Sequence, residues 1–263
     1  MLKNIIRYLK YWWLMSRNSF ISVINTKGAL FIFLFGKIMR FTFFFLFLYF
    51  LLGGTKSLAG YSLNQTLFFF LTFNLVDVTS QFLFREVYRF RPLVVTGDFD
   101  LILTKPINSL FRALMGGADV IDLITIPPLI YAVFYLGKML NPTTADIFLY
   151  ILLILNALFI AVSFHIAVLA LGILTLEIDY TIMVYRDLSS LGKLPIEVYK
   201  EPVKGILTYL VPVGLMVAVP AKVFMGIITV SGILTAFAFS VLAFIAATRF
   251  WGYALRRYTS ASS

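Results

Sequence analysis

The sequence predicts an all-α integral membrane protein: six transmembrane helices, both termini cytoplasmic, an N-terminal interfacial amphipathic helix, and a re-entrant helical segment before the last span. Three observations predict it. The 263 residues are 61% hydrophobic and 13% charged, with mean hydropathy +0.95, where soluble domains run at about 45–50% apolar and 25% charged. The apolar residues gather into runs near the roughly 20 residues that a bilayer span requires. The basic residues are shared very unequally between the intervening loops. A soluble domain could not hide this much apolar surface, and a disordered chain would be apolar-poor and charge-rich.

Other classes fall away on composition. With no Cys and a lone His165, the chain has no disulfide framework, no thiolate or histidine metal cluster and no cysteine nucleophile. A net charge of +10 reads as positive-inside bias and affinity for anionic membrane lipid rather than nucleic acid, since no soluble basic domain could carry such binding. The N-terminus lacks the compact apolar core and small-residue cleavage site of a secretory signal.

From the N-terminus, residues 2–20 read as a helix lying in the interface. At 100° per residue, Lys3, Arg7, Lys10 and Arg17 share a sector of about 80°, and Leu2, Ile5, Ile6, Leu9, Trp12, Trp13 and Phe20 gather on the opposite side. This places an elbow over 1–27. Clear spans follow near 34–54, 62–84, 112–136 and 227–250, with further apolar runs over 147–176 and 205–225. Fifteen of the 22 Lys and Arg lie before or at the start of the first span, between the second and third, or after the last. Lys56 and Lys138 alone occupy the loops of opposite parity. Trp12, Trp13 and Trp251 mark the same basic interface. Both termini and the 85–112 segment are therefore expected in the cytoplasm, which requires an even number of spans.

Two threadings give six. In one, 147–176 is a single long span, 177–204 is cytoplasmic and 205–225 is the fifth span. In the other, favoured here, the chain turns near Ser163–His165, the fifth span covers 166–190, and 193–225 dips into the outer leaflet and returns. Pro195, Pro202, Pro212 and Pro220 interrupt any straight helix through that stretch, and irregular backbone at membrane depth must be buried or line a cavity. Its weakness is that Glu177 and Asp179 then sit within a span.

The segment 85–112, REVYRFRPLVVTGDFDLILTKPINSLFR, carries the most information. Gly97 permits a turn, and Asp98 can cap a short helix over Phe99–Thr104. Lys105 suits that helix's C-terminal end, and Pro106 stops it. The expected product is a short knob on the cytoplasmic face that exposes Phe99, Leu101, Ile102 and Leu103. In the spans, Asn74, Asp77 and Gln81 recur on one face of the second, and Asp119 and Asp122 share a face of the third, ahead of a Pro127–Pro128 kink. These polar residues either line a path or bond between helices, with Asp119 pairing Arg112 or another nearby cation. His165 reads as a satisfied packing residue. Glu177, Asp179, Arg186 and Asp187 read as a local charge network.

The run Arg91–Pro106, above all TGDFDLILTKPI, resembles the loop between the second and third spans of ABC transporter permeases of the type-2, exporter-like fold. It is similar to the branch carrying a Gly-x-x-Asp-x-x-Leu-x-Lys/Arg-Pro signature, with Gly97, Asp100, Leu103, Lys105 and Pro106 in those places. A second stretch resembles that branch's outer segment through Pro195, Tyr199, Pro212, Pro220 and Ala221. The resemblance implies one permease domain over 1–263 in a bacterial-type inner membrane, with Arg91–Pro106 as a coupling helix seated on a separate ATPase subunit. It also implies a second permease subunit, identical or paired. The chain itself has no G-x-x-x-x-G-K-[ST]: the strings at Gly53–Ser57 and Gly36–Ile38 lack the spacing that cradles phosphate. No cofactor is expected on this chain, and ATP and Mg would be bound by the partner ATPase. An ATP-independent transporter or channel would call for paired broken helices, and only one broken segment, near 193–225, is visible. An integral-membrane enzyme would need clustered carboxylates or nucleophiles that the chain lacks.

Overall fold

The computed structural model describes residues 2–55, 57–176 and 178–259, and the described residues are almost entirely helical. Helix α1 (Leu2–Asn25) runs into α2 (Lys27–Thr55) with only Thr26 between them. Helix α3 (Leu63–Phe84) opens on a capping box in which Ser62 and Gln65 satisfy each other's backbone N–H. A run of short helices follows: α4 (Phe90–Val95), α5 (Asp98–Leu103) and α6 (Ser109–Leu114). Then come α7 (Val120–Lys138) and α8 (Thr144–Thr175), the latter opened by a second capping box from Thr143 and Asp146. Beyond α9 (Ile178–Ser190) lie α10 (Val203–Leu210), α11 (Gly214–Phe224) and α12 (Val230–Arg256). Five of these helices, α2, α3, α7, α8 and α12, are long and apolar enough to cross a membrane, and α10 with α11 would make a sixth as one bent span.

Helices α3 and α8 form the centre. One apolar cluster joins α3, α4, α5, α8, α11 and α12 toward the end that carries the short helices, hereafter the basic end. A second joins α2, α3, α7, α8 and α11 at the far end, where Phe68, Tyr150 and Phe224 stack on one another. Helix α2 is peripheral: Leu48 and Leu52 are its only buried residues.

The turn expected near Ser163–His165 does not exist. Helix α8 runs unbroken for 32 residues, because the polar groups there bond inside the helix instead of breaking it. The Ser163 hydroxyl donates to the Phe159 carbonyl at 3.0 Å, and His165 Nδ1 meets the Ala161 carbonyl at 2.8 Å. The helix ends instead at Leu176, which takes the left-handed conformation with φ 60°. Likewise Pro127 and Pro128 leave α7 a single helix.

Where the sequence places its prolines, the backbone is irregular. Pro195 stands between two 3-10 turns, and Pro212 falls in the break between α10 and α11, which meet at 75°. Pro220 sits at the second residue of the α-helical stretch Val219–Phe224, just after the π-helical stretch Gly214–Ala218, where its missing N–H costs little. Residues 211–221 are buried throughout, so this loosened backbone is screened by protein rather than lipid. Gly192 makes that burial possible, for a Cβ there would fall on the Val213 side chain. Tyr199 donates from its hydroxyl to the Leu191 carbonyl at 2.9 Å and closes the same fold-back. At the far end Lys222 pairs with Glu197.

Candidate functional site

The segment Arg91–Pro106, expected to couple, is built as a clamp. Gly97 takes φ 81°, a left-handed turn that favours glycine, and α5 folds back from α4. Asp98 is not the cap expected from the sequence. Gly97 occupies the cap position, and Asp98 is the first helical residue, its carboxylate accepting from the Thr96 hydroxyl at 2.8 Å. The helix stops at Leu103, ahead of Lys105 and Pro106.

Only half of the expected apolar knob is presented to the outside. Leu101 is 61% exposed and Leu103 41%, whereas Phe99 is fully buried and Ile102 nearly so. Residues three apart share one face of a helix, so Phe99 and Ile102 form its inner side, which meets α4 and α12. The Phe99 ring packs edge-on against Phe90 at 5.0 Å and Tyr258 at 5.3 Å, with Trp251 at 6.3 Å. Burial, and after it the neighbouring Asp100 carboxylate, push the Tyr258 hydroxyl up to about 12, so it remains a neutral phenol at physiological pH. Arg91 donates from Nε to the Leu176 carbonyl at 3.1 Å and pairs with Asp179 at 3.7 Å. Thus α5 is fastened to α12 by aromatic packing, and its neighbour α4 to the α8–α9 junction by Arg91. Phe99→Ala should destabilise the segment by about 3–5 kcal/mol, read as faster proteolysis between residues 95 and 109 with the bundle's own unfolding little changed.

Helix α1 braces the same end. The Tyr8 hydroxyl accepts from the Asn108 N–H at 3.2 Å, Ser16 Oγ accepts from the Ala118 N–H at 3.2 Å, and Tyr8 stacks edge-on against Phe111 at 4.7 Å. These contacts tie α1 to the 85–119 region, and Thr26 alone joins α1 to α2.

The polar residues of the spans fall into two groups. Asn74 and Asp77 line a cleft of about 280 Å³ together with Arg40, Arg186, Asp187 and Lys193. Within it Asp77 accepts from Gln81 at 2.8 Å, and Asn74 donates to the Phe70 carbonyl of its own helix at 2.7 Å. Gln81, Asp119 and Asp122 line a second cleft of about 430 Å³ with Lys37 and Arg85. Here Lys37 pairs with Asp122, and Arg85 with Asp119 at 3.2 Å. Of the two partners expected for Asp119, Arg112 or another nearby cation, it is the other cation, Arg85, that pairs with it, and Arg112 pairs with Glu86 at 2.5 Å. Asp119 also caps α7 by accepting from the Ile121 N–H at 2.8 Å, so it belongs to the entrance of that helix rather than to a face along it. Arg40 borders both clefts.

Among the described members of the expected local charge network, Asp179, Arg186 and Asp187, there is no ion pair within the set. Asp179 turns to Arg91, while the Arg186 guanidinium lies 5.6 Å from the Tyr88 ring centroid; Glu177 lies outside the described residues, as do residues 260–263 of the polar tail. His165 packs among Phe84, Tyr88 and Tyr185, but its Nε2 has no partner, so it is only half satisfied. Reading Lys37 and Arg40 only as orientation signals missed their part in the clefts. The available signal was a cation inside an apolar run, which is expensive without a task. Among the described residues no group of three or more His, Asp or Glu could hold a metal ion.

A protein-family model described as "ABC-2 family transporter protein" matches residues 37–262. No curated protein and no solved structure matches the chain.

Proposed function

The chain belongs to the ABC-2 family of transporter proteins, as the permease subunit of an ABC transporter, and we propose that it exports a hydrophobic or amphiphilic substrate by alternating access. In this reading a separate ATPase subunit binds ATP and Mg, and two permease subunits, identical or paired, enclose the path in the cell membrane. The basic end faces the cytoplasm and α1 lies in the interface as an elbow. The fifth crossing is made by α9 and the irregular stretch after it, from Asp179 beside Arg91 at the basic end to Glu197 beside Lys222 at the far end, which leaves α10–α11 as a re-entrant hairpin in the outer leaflet.

The observation that carries the coupling role is the clamp around α5. Leu101 and Leu103 point outward from a helix whose inner side is fixed to α12 through Phe99 and Trp251 and whose α4 neighbour is fixed to α9 through Arg91. A partner that grips the two leucines and moves would displace α12 and α9 together. Nucleotide drives this only by its differential affinity for the two arrangements. The clefts beside α3 would then open and close against α2 and α9.

The absence of Cys provides the test. A single Cys replacing the exposed Leu101 is cross-linked in native membranes and the captured protein identified. Capture of an ATPase with a P-loop is the expected result. A reactive, accessible Cys that captures no ATPase would overturn the reading and favour an ATP-independent transporter.

A further inference from the structure

Resting on the transport reading above, we propose that the substrate is an amphiphile with an anionic headgroup, held by Arg40, Lys193 and Arg186 with its chain against phenylalanines of α2 and α3. The basis is a contrast between neighbouring cations. Lys37 and Arg85 each have a carboxylate partner. Arg40, three residues beyond Lys37 on α2, has no ion pair among the described residues, and neither do Lys193 and Arg186. Cations within apolar segments normally pair with an acid or face a wet cavity.

These three face a cavity, and they are held there by aromatic rings. Lys193 Nζ lies 5.5 Å from the Phe44 centroid and 5.9 Å from Phe73, and Arg40 and Arg186 rest near Phe41 and Tyr88. Cation–π contact fixes a charged head without neutralising it. The carboxylates of the same cleft, Asp77 and Asp187, leave it one positive charge in excess, and Asp77 is already engaged by Gln81. An incoming anion therefore meets uncompensated charge, with the Asn74 amide and the Ser190 hydroxyl beside it.

The second half of the site is apolar. A hollow of about 380 Å³ lies between α2 and α3, walled by Phe41, Phe43, Phe44, Phe47 and Phe70. It shares Arg40, Asn74 and Lys193 with the polar cleft. Charge and ring wall thus meet at one line, as the two ends of an amphiphile do. Helix α2, buried only at Leu48 and Leu52, leaves the hollow open along its length toward lipid, from which such a molecule can enter sideways.

The test uses the purified full-length chain in nanodiscs of zwitterionic lipid, with Met183, which borders the polar cleft, replaced by Cys and labelled with an environment-sensitive fluorophore. Ligands with one chain and different heads are titrated: dodecyl phosphate, dodecyl maltoside and dodecyltrimethylammonium. Dodecyl phosphate alone should give a saturable shift. Arg40→Gln and Lys193→Gln should each weaken it about tenfold, and together on the order of a hundredfold, while Arg40→Lys and Lys193→Arg retain most of it.

Phosphatidylglycerol as a fourth ligand separates the two sources of such a headgroup. Binding through the same cations identifies a membrane phospholipid as a ligand, and exclusion identifies single-chain amphiphiles. Equal binding of the maltoside or the ammonium compound overturns the proposal on the unaltered cations, whether or not the glutamine variants fold. So does an unchanged dodecyl phosphate affinity in the double variant, including the case where that variant loses its second permease subunit and the cations prove to be interface partners. The titration involves no ATPase. ATPase capture at residue 101 without dodecyl phosphate binding therefore overturns this proposal alone, and binding without capture overturns the coupling reading alone.

Discussion

Leu101→Asp combined with Leu103→Asp is expected to abolish ATPase-dependent transport while leaving the chain inserted and folded. Both side chains are exposed, at 61% and 41%, and neither belongs to an apolar cluster of the bundle. Replacing exposed residues away from such clusters usually changes stability by no more than about 0.5 kcal/mol. Seated in a partner's groove, each leucine is worth roughly 1.5–3 kcal/mol, and a carboxylate there adds its own desolvation cost. Association with the ATPase should therefore weaken by on the order of a hundredfold or more. The measurement pairs co-purification of the ATPase with thermal unfolding of the permease. Full association with unchanged unfolding would show that the partner grips some other surface. The contrast with Phe99→Ala is informative, because that change should weaken transport only through loss of the clamp and with a visible rise in proteolysis of the segment.

Much of this architecture is legible in the sequence, and particular residues show why the remainder is not. Span positions follow from hydropathy because burial in lipid leaves few alternatives. The short helix expected over Phe99–Thr104 falls within a residue of the true ends of α5, Asp98 and Leu103. What local signals miss is tertiary choice. Phe99, Leu101, Ile102 and Leu103 are all apolar, and nothing near them in sequence says that Trp251 and Tyr258 will cover the first and leave the second exposed. The Ser163–His165 turn illustrates the opposite error. Polar residues in an apolar run suggest an interface, yet a hydroxyl and an imidazole can each bond to a carbonyl four residues back and leave the helix intact. Partner choice among charges is harder still: Asp119 has both Arg85 and Arg112 within plausible reach by sequence, and only Glu86 beside Arg112 decides between them.

Lys37→Leu is expected to detach the basic half of α2 from the bundle. That helix is fixed at its far end by Leu48 and Leu52, and at the basic end by the pair of Lys37 with Asp122. Between these two points lies the phenylalanine-walled hollow, where Phe44 stacks on Phe70 at 4.8 Å and no residue of α2 is fully buried. Asp122 is 4% exposed, and its Oδ2 already lacks a hydrogen-bond partner. Removing the lysine leaves a buried carboxylate with no cation at contact distance, a change that costs about 3–5 kcal/mol in comparable settings. Replacing both residues by leucine should recover most of that loss, because the uncompensated charge disappears along with its partner. The double-mutant cycle, read by thermal unfolding and by proteolytic cleavage at the Thr26 junction, isolates the pair from its surroundings. A Lys37→Leu protein that unfolds and cleaves like the parent would show that the pair does not hold α2. A single variant restored by the double would identify a two-point attachment, with one end apolar and fixed and the other ionic. In that arrangement α2 can swing about Leu48 and Leu52 as the ion pair opens, which widens the hollow beside Arg40 without disturbing the α3–α8 core.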